Sequence, residues 1–215
     1  FNAITEKTNT TVLDTISDTS RQVLVEPLTN YNIVVVDKQF NRNSSVTLIN
    51  TNTTRQGNFR DANVTGALFD LRTKANTYRV SGEAKMSYLN LDNDTQTGFR
   101  TNLRIGKIFG NYRYSLEHDY ADDQYDINDL GLIFRNNFNN LTGRFSYEIF
   151  EPTEKFQRFR LSFRANYRRL AQPSTYTGLR LDADFFATDL NLDSFGLNLD
   201  FNPGKQYDYF EPRVD

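Results

Sequence analysis

Cysteine and tryptophan are absent from these 215 residues, and histidine and methionine occur once each. Without cysteine there are no disulfides, no thiolate nucleophile and no cysteine-ligated metal site. With His118 as the sole imidazole, a histidine triad or a zinc site has almost no material, and no cofactor is expected. An excess of one charge is missing too. The 25 basic and 27 acidic residues are mixed along the chain for a net charge of −2, so there is no electrostatic footprint for nucleic acid, which is excluded as an expected partner. Hydrophobic residues make up 38% and mean hydropathy is −0.64. No run approaches the roughly 20 apolar residues of a spanning helix. A membrane β-barrel passes this test, because only alternate residues of its strands must be apolar. The opening Phe1-Asn2-Ala3 has neither the basic region nor the apolar core of a signal peptide, so any such leader is missing or removed.

What the chain does have is phenylalanine and tyrosine, 18 and 12 of them, set in a two-residue period. The stretch from Phe99 to Ala121 carries the pattern best. Turned at Gly110-Asn111, so that paired residue numbers sum to 221, it puts Phe109 opposite Tyr112, Ile105 opposite Leu116 and Leu103 opposite His118 on one face. Arg104 then lies opposite Glu117 and Asn102 opposite Asp119 on the other. Such segregation predicts an antiparallel hairpin with one apolar side. From Thr77 to Leu89 the even positions read Tyr78, Val80, Gly82, Ala84, Met86, Tyr88 and the odd ones are polar. Ten steps of about 3.3 Å tilted by about 45° span roughly 23 Å, close to the apolar band of an outer-membrane barrel. Tyrosines stand at both of its edges, where amphipathic rings sit.

The period recurs at Leu130, Leu132 and Phe134, joined through a second turn at Asn139-Asn140 to Leu141, Phe145, Tyr147 and Ile149. It continues with Phe159, Leu161, Phe163, Ala165 and Tyr167, with Leu179 to Phe185, and with Phe195 to Phe201. The first 75 residues alternate less sharply, with strands expected around Ile33 to Val36 and Ser44 to Thr54. About a dozen strands are predicted in all, with short turns on one rim and longer polar loops (Asp92 to Thr97, Ala121 to Asp126, Gln172 to Thr177) on the other. No linker divides the chain, which reads as one barrel segment over 1–215, cut from a longer protein.

Few residues invite chemistry. Arg158, Arg160, Arg164 and Arg168 form a ladder that can either set a positive field in a channel or fill a polar face by pairing with Glu148, Asp182 and Asp184; the second reading is favoured. Arg135 and Arg144 fall opposite each other if the Asn139-Asn140 turn forms, and like charges there repel. The acidic segments with Asp119, Asp122, Asp123, Asp126 and Asp129, and with Asp92, Asn93 and Asp94, lack the spacing of a calcium loop and read as solvated. No catalytic residue is assigned among the many carboxylates.

The strings EPLTNYN from Glu26, SSVTLINTN from Ser44, GNFRDANVTG from Gly57, NTYRVSG from Asn76 and YFEPRV from Tyr209 resemble a Bacteroidetes-type outer-membrane barrel family described as a domain of unknown function. The resemblance spans nearly the whole chain. It implies an outer-membrane protein and, because the barrel there usually follows a module similar to family-nine carbohydrate-binding domains, a connection to glycans. It supplies no functional residues, and this chain contains no such module.

The fold class expected is therefore all-β, an antiparallel up-and-down meander forming a transmembrane β-barrel or an open half-barrel of one. The function expected is a non-enzymatic segment of a bacterial outer-membrane barrel, as a channel or a membrane anchor for glycan binding or uptake. Its partners would be the lipid bilayer, a glycan or small solute, and the strands and N-terminal module of a parent chain. Arg104, Glu117, Arg158, Arg160, Arg164, Arg168, Arg180, Asp182 and Asp184 are the expected lumen-facing residues. Tyr78, Met86, Tyr88, Tyr112, Tyr114, Leu116, Phe145, Tyr147, Phe163 and Tyr167 are the expected lipid-facing or girdle residues. The competing readings are a soluble β-sandwich or open-barrel binding module, in which the apolar face is a core, and part of a polysaccharide-processing protein. Strand length favours the membrane barrel, since sandwich strands average about five or six residues and several here reach ten.

Overall fold

The computed structural model describes residues 1–16, 18–91 and 94–209. Asp92, Asn93 and nearly all of the YFEPRV string lie outside the described residues. The described chain is all-β. Its strands are β1 (Asn2–Thr5), β2 (Thr8–Asp14), β3 (Thr19–Glu26), β4 (Thr29–Phe40), β5 (Ser44–Arg55), β6 (Asp61–Arg72), β7 (Tyr78–Leu91), β8 (Asp94–Lys107), β9 (Tyr112–Ala121), β10 (Phe138–Ile149), β11 (Phe156–Arg169), β12 (Tyr176–Asp189) and β13 (Ser194–Phe201).

Eleven of them form one antiparallel sheet in the order β1-β4-β5-β6-β7-β8-β9-β10-β11-β12-β13, and its edges, β1 and β13, do not meet. The sheet is an open up-and-down meander, consistent with a half-barrel. The pair β2-β3 makes a separate two-stranded ribbon that continues the β1-β4 hairpin past Pro27 and touches no other strand.

The ladders are staggered in one direction. Ser45 pairs with Asp70, which pairs with Ser81, and the row continues through Arg104, Glu117, Thr142 and Asn166 to Arg180. Ser45 lies one residue inside the rim end of β5 at Ser44, whereas Arg180 lies nine inside the rim end of β12 at Asp189. An offset of eight residues across seven ladders, at about 3.3 Å per residue and about 4.8 Å per strand, tilts the strands by about 40° from the normal to the rim. Closed barrels use tilts of about 35–45°.

The hairpin with paired numbers summing to 221 forms as expected, from Arg100 opposite Ala121 to Lys107 opposite Tyr114. Phe109 and Tyr112 fall outside its ladder, because the connection is residues 108–111 rather than a two-residue turn. Two expectations are overturned. Leu130, Leu132 and Phe134 are not in a strand, and Asn139-Asn140 is not a turn but the start of β10. The asparagine that takes up the left-handed backbone is Asn137, at φ 55°, so the first of two neighbouring Asn-Asn pairs ends the connection and the second is extended. Residues 122–137 thus form one long loop. Arg144 consequently faces Ser115 and Arg164 rather than Arg135. The expected loop from Asp92 to Thr97 also shrinks, since β8 already begins at Asp94.

Candidate functional site

Register and alternation sort the side chains onto two faces. One apolar row runs Leu71, Val80, Ile105, Leu116, Gly143, Ala165, Leu181, Phe201 across eight strands. All ten residues expected to be lipid-facing or girdle residues, Tyr78, Met86, Tyr88, Tyr112, Tyr114, Leu116, Phe145, Tyr147, Phe163 and Tyr167, lie on this apolar face. No second layer covers it among the described residues, so no two-sheet sandwich is formed. Its side chains stay open, Tyr112 at 55% and Phe163 at 48%.

Two bands of aromatic rings bound the face. Near the rim formed by 108–111 and 150–155, rings touch in the series Tyr112–Tyr147 (4.6 Å), Tyr147–Phe159 (5.8 Å) and Phe159–Phe185 (5.6 Å), across four strands. Near the other rim, Tyr167 meets Tyr176 (5.6 Å), Tyr176 meets Tyr207 (6.5 Å) and Tyr207 meets Tyr209 (6.1 Å). Phe159 and Tyr167 are eight residues apart on β11, about 26 Å along the strand and about 20 Å along a normal inclined by about 40°.

The opposite face is polar and concave, since one cleft of ≈ 790 Å³ is lined from β7 through β13. All nine residues expected to face the lumen lie on it. Arg164 bridges Asp182 at 2.9 Å, Arg180 bridges Asp182 at 3.0 Å and also Asp200, and Arg160 bridges Asp184 at 2.9 Å. Two of the four ladder arginines, Arg160 and Arg164, are thus paired with the expected Asp184 and Asp182. Glu148 takes no part in these bridges although it lies opposite Arg160. Arg158 instead stacks over the Phe186 ring, 5.5 Å from its centroid, and Arg168 donates to Gln206 at 2.9 Å. Arg104 and Glu117 are paired in register, but the Glu117 carboxylate is taken by Arg144 and by the Asn102 amide. Arg104 donates to Ser115 Oγ at 3.4 Å. Both contacts, Arg144 to Glu117 and Arg104 to Ser115, run to diagonal neighbours on the adjacent strand, which a side chain as long as arginine reaches.

The long loop 122–137 was not legible as a unit, and it fills one end of this face. Arg55 of β5 and Arg60 before β6 hold Asp129 at 2.6 and 2.7 Å, and Arg60 also reaches Asp126 at 3.3 Å. The amide of Asp126 donates to Ser87 Oγ, and the Asp122 carboxylate accepts from the Phe99 amide. Tyr125, 1% exposed, is the largest fully buried side chain among the described residues. Gly98 makes the docking possible, for a Cβ there would stand 2.2 Å from the Tyr125 nitrogen. The reading of these acidic residues as solvated is therefore corrected for Asp126 and Asp129, which are ion-paired anchors, and for Asp119, which lies within β9 on the polar face with Arg100 3.6 Å away. Among the described residues no group of acidic or histidine side chains has the arrangement of a metal site. His118 lies on the apolar face, its Nε2 2.9 Å from Asn139 Oδ1.

A family model described as a domain of unknown function (DUF5916) matches residues 1–215. The chain belongs to this family. Neither the comparison with curated proteins nor that with solved structures finds a match. In this DUF5916 chain the docked loop carries its own pH dependence. Burial pushes the Tyr125 phenol from an ordinary 10.0 up to about 12, and its hydroxyl has no hydrogen-bond partner among the described residues. The neutral phenol is the form the docked loop accepts, so its contribution to docking is fully present below pH 10 and is lost as pH rises toward 12. In absorbance titration at 295 nm one late-ionising tyrosine is expected, and Tyr125→Phe is expected to remove it; an unchanged late phase in that variant would refute the assignment.

Proposed function

We propose that this chain is the wall of a bacterial outer-membrane β-barrel, a non-enzymatic channel segment with its apolar face in lipid and its charged face toward a water-filled lumen. The observation that carries the reading is the pair of aromatic bands enclosing an uncovered apolar face. Girdles of Tyr and Phe at both interfaces flanking an apolar band of about 25 Å are what a bilayer selects, because rings with a polar tip rest at the headgroup level. The stagger of the ladders and strands of up to 14 residues fit the same geometry. On this reading Tyr78, Tyr88, Tyr112, Tyr147 and Tyr167 are girdle residues, and the Arg160, Arg164, Arg180, Asp182 and Asp184 network lines the lumen.

Lipid leaves no unpaired strand edge unpunished. β13, which presents Phe195, Leu197, Leu199 and Phe201 on an open edge, and the β1-β4 edge are accordingly where further strands of a parent barrel pair. The resemblance to barrels that follow a carbohydrate-binding module makes a glycan or a glycan-derived solute the first choice of cargo. The decisive experiment is fractionation of cells expressing the full-length protein. Recovery in the outer membrane, with a band whose gel mobility shifts on heating in detergent, is expected; recovery as a soluble periplasmic protein would overturn the proposal.

A further inference from the structure

We infer that the polar face carries an oxyanion-binding site between β7 and β10, built on Gly106 and Ser115. Arg79 pairs in register with Gly106, Gly106 with Ser115, and Ser115 with Arg144. Two guanidiniums are thus separated by two of the smallest side chains available. Arg104 follows two residues before Gly106 on the same strand face, and Arg113 two residues before Ser115. Four arginines from four strands therefore ring a floor with almost no side chain on it, and all four line the cleft of the polar face. The floor is kept bare by packing, since a Cβ on Gly106 would stand 2.3 Å from the Tyr114 carbonyl oxygen and 2.8 Å from the Ser115 Cβ.

Charge is not balanced at this end of the cleft. The carboxylates that line the cleft, Asp182, Asp184 and Asp200, belong to β12 and β13 and are bridged there by Arg160, Arg164 and Arg180. At the β7–β10 end Asp70 engages Arg79 at 2.7 Å and is shared with Arg72, while Glu117 engages Arg144. Arg104 and Arg113 have no carboxylate within 4.0 Å among the described residues. Arg104 has only its long contact to Ser115 Oγ, and Arg113 donates to the Gly110 carbonyl at 3.2 Å while stacking 4.6 Å over the Phe150 ring. Stacking fixes the plane of a guanidinium and leaves N–H groups at its edge unspent. A carboxylate, sulfate or phosphate seated over Gly106 and Ser115 accepts from Arg104 and Arg113 in the fork geometry that planar oxyanions match, with the Ser115 hydroxyl as a further donor. The cleft volume, ≈ 790 Å³, accommodates a solute of one or a few sugar rings beyond the anionic group, within the usual range of about 300–1,000 Å³ for ligand sites. The site does not depend on what covers the apolar face, so its failure and that of the barrel reading are distinguishable.

Titration calorimetry on the full-length folded protein tests it, with sodium sulfate, sodium glucuronate and neutral glucose as separate ligands at low ionic strength. Saturable binding of sulfate, of glucuronate or of both is expected, with none for glucose; the arm that binds tells a sulfate-type group from a sugar carboxylate. Arg104→Gln with Arg113→Gln is expected to weaken that binding by about tenfold or more, with an unchanged β-sheet circular dichroism spectrum. Should that double variant fail to fold, Arg104→Lys with Arg113→Lys decides. It keeps the charge and loses the fork, so a several-fold loss is expected. Native affinity in the folded variant, saturable glucose binding, or no anion binding by the native protein overturns the inference.

Discussion

Arginine in place of Ala84 is expected to lower stability in a bilayer by about 2 to 4 kcal/mol, whereas arginine in place of Ser81 changes it by less than about 1 kcal/mol. The two positions are three residues apart on β7 and differ in face. Ala84 is exposed on the apolar face between Ala67 and Thr101, midway between the Tyr78 and Tyr88 rows. A guanidinium there must be desolvated or drag water and headgroups inward. Ser81 lies on the polar face between Asp70 and Arg104, where water and a carboxylate are at hand. If the apolar face met water, both substitutions would fall within the roughly 0.5 kcal/mol typical of surface sites. Denaturant unfolding of the refolded protein in lipid measures the difference, and equal tolerance would sink the lipid-facing assignment.

Asp129→Ala is expected to cost roughly 2 to 3 kcal/mol and to release the loop 122–137 from the polar face. Removing one partner of a buried ion pair costs about 3 to 5 kcal/mol when the other charge is stranded. The lower figure follows because Arg55 and Arg60 keep 19% and 37% of their side-chain surface and can turn to water, whereas Asp129 keeps 5%. With Asp129 removed, the ion pair left between Arg55 or Arg60 and the loop is the 3.3 Å contact from Arg60 to Asp126. Hydrogen exchange at the Asp126 amide, which donates to Ser87 Oγ, reads the release directly. Gly98→Val reaches the same state by steric exclusion. Native protection of that amide in both variants would mean that the ion pairs do not hold the loop.

Face assignment was legible because it is a local property. Successive residues of a strand point to opposite sides whatever the strand packs on, so the Tyr78 to Tyr88 row and the 221 register could be read from spacing alone. The first strands were harder, since Ile33, Val35, Ile49 and Leu68 put apolar side chains on the otherwise polar face and blur the contrast. The turn at Asn139-Asn140 failed for a different reason. Two Asn-Asn pairs stand within five residues, and turn propensity cannot choose between them; the choice falls to the pairing of β10 with β9 and β11.

The candidate sites divide in the same way. The arginine ladder of β11 was found from its spacing, and the pairing of Arg160 and Arg164 with Asp184 and Asp182 followed from charge alone. The loop docking was not, because Arg55 and Asp129 are 74 positions apart and nothing in the sequence marks one for the other. The Gly106–Ser115 pairing followed from the 221 register, but its flanking by Arg79 of β7 and Arg144 of β10 did not.

What the sequence by itself determined is the all-β meander and the membership of each face, because a two-residue period follows from backbone geometry and hydrophobicity at neighbouring positions. The tertiary structure alone decided the stagger of the strands, the inward course of residues 122–137 and the partner of each charged group. Those depend on how many ladders separate two residues and how far a side chain reaches across them, distances that exist only once the sheet has formed.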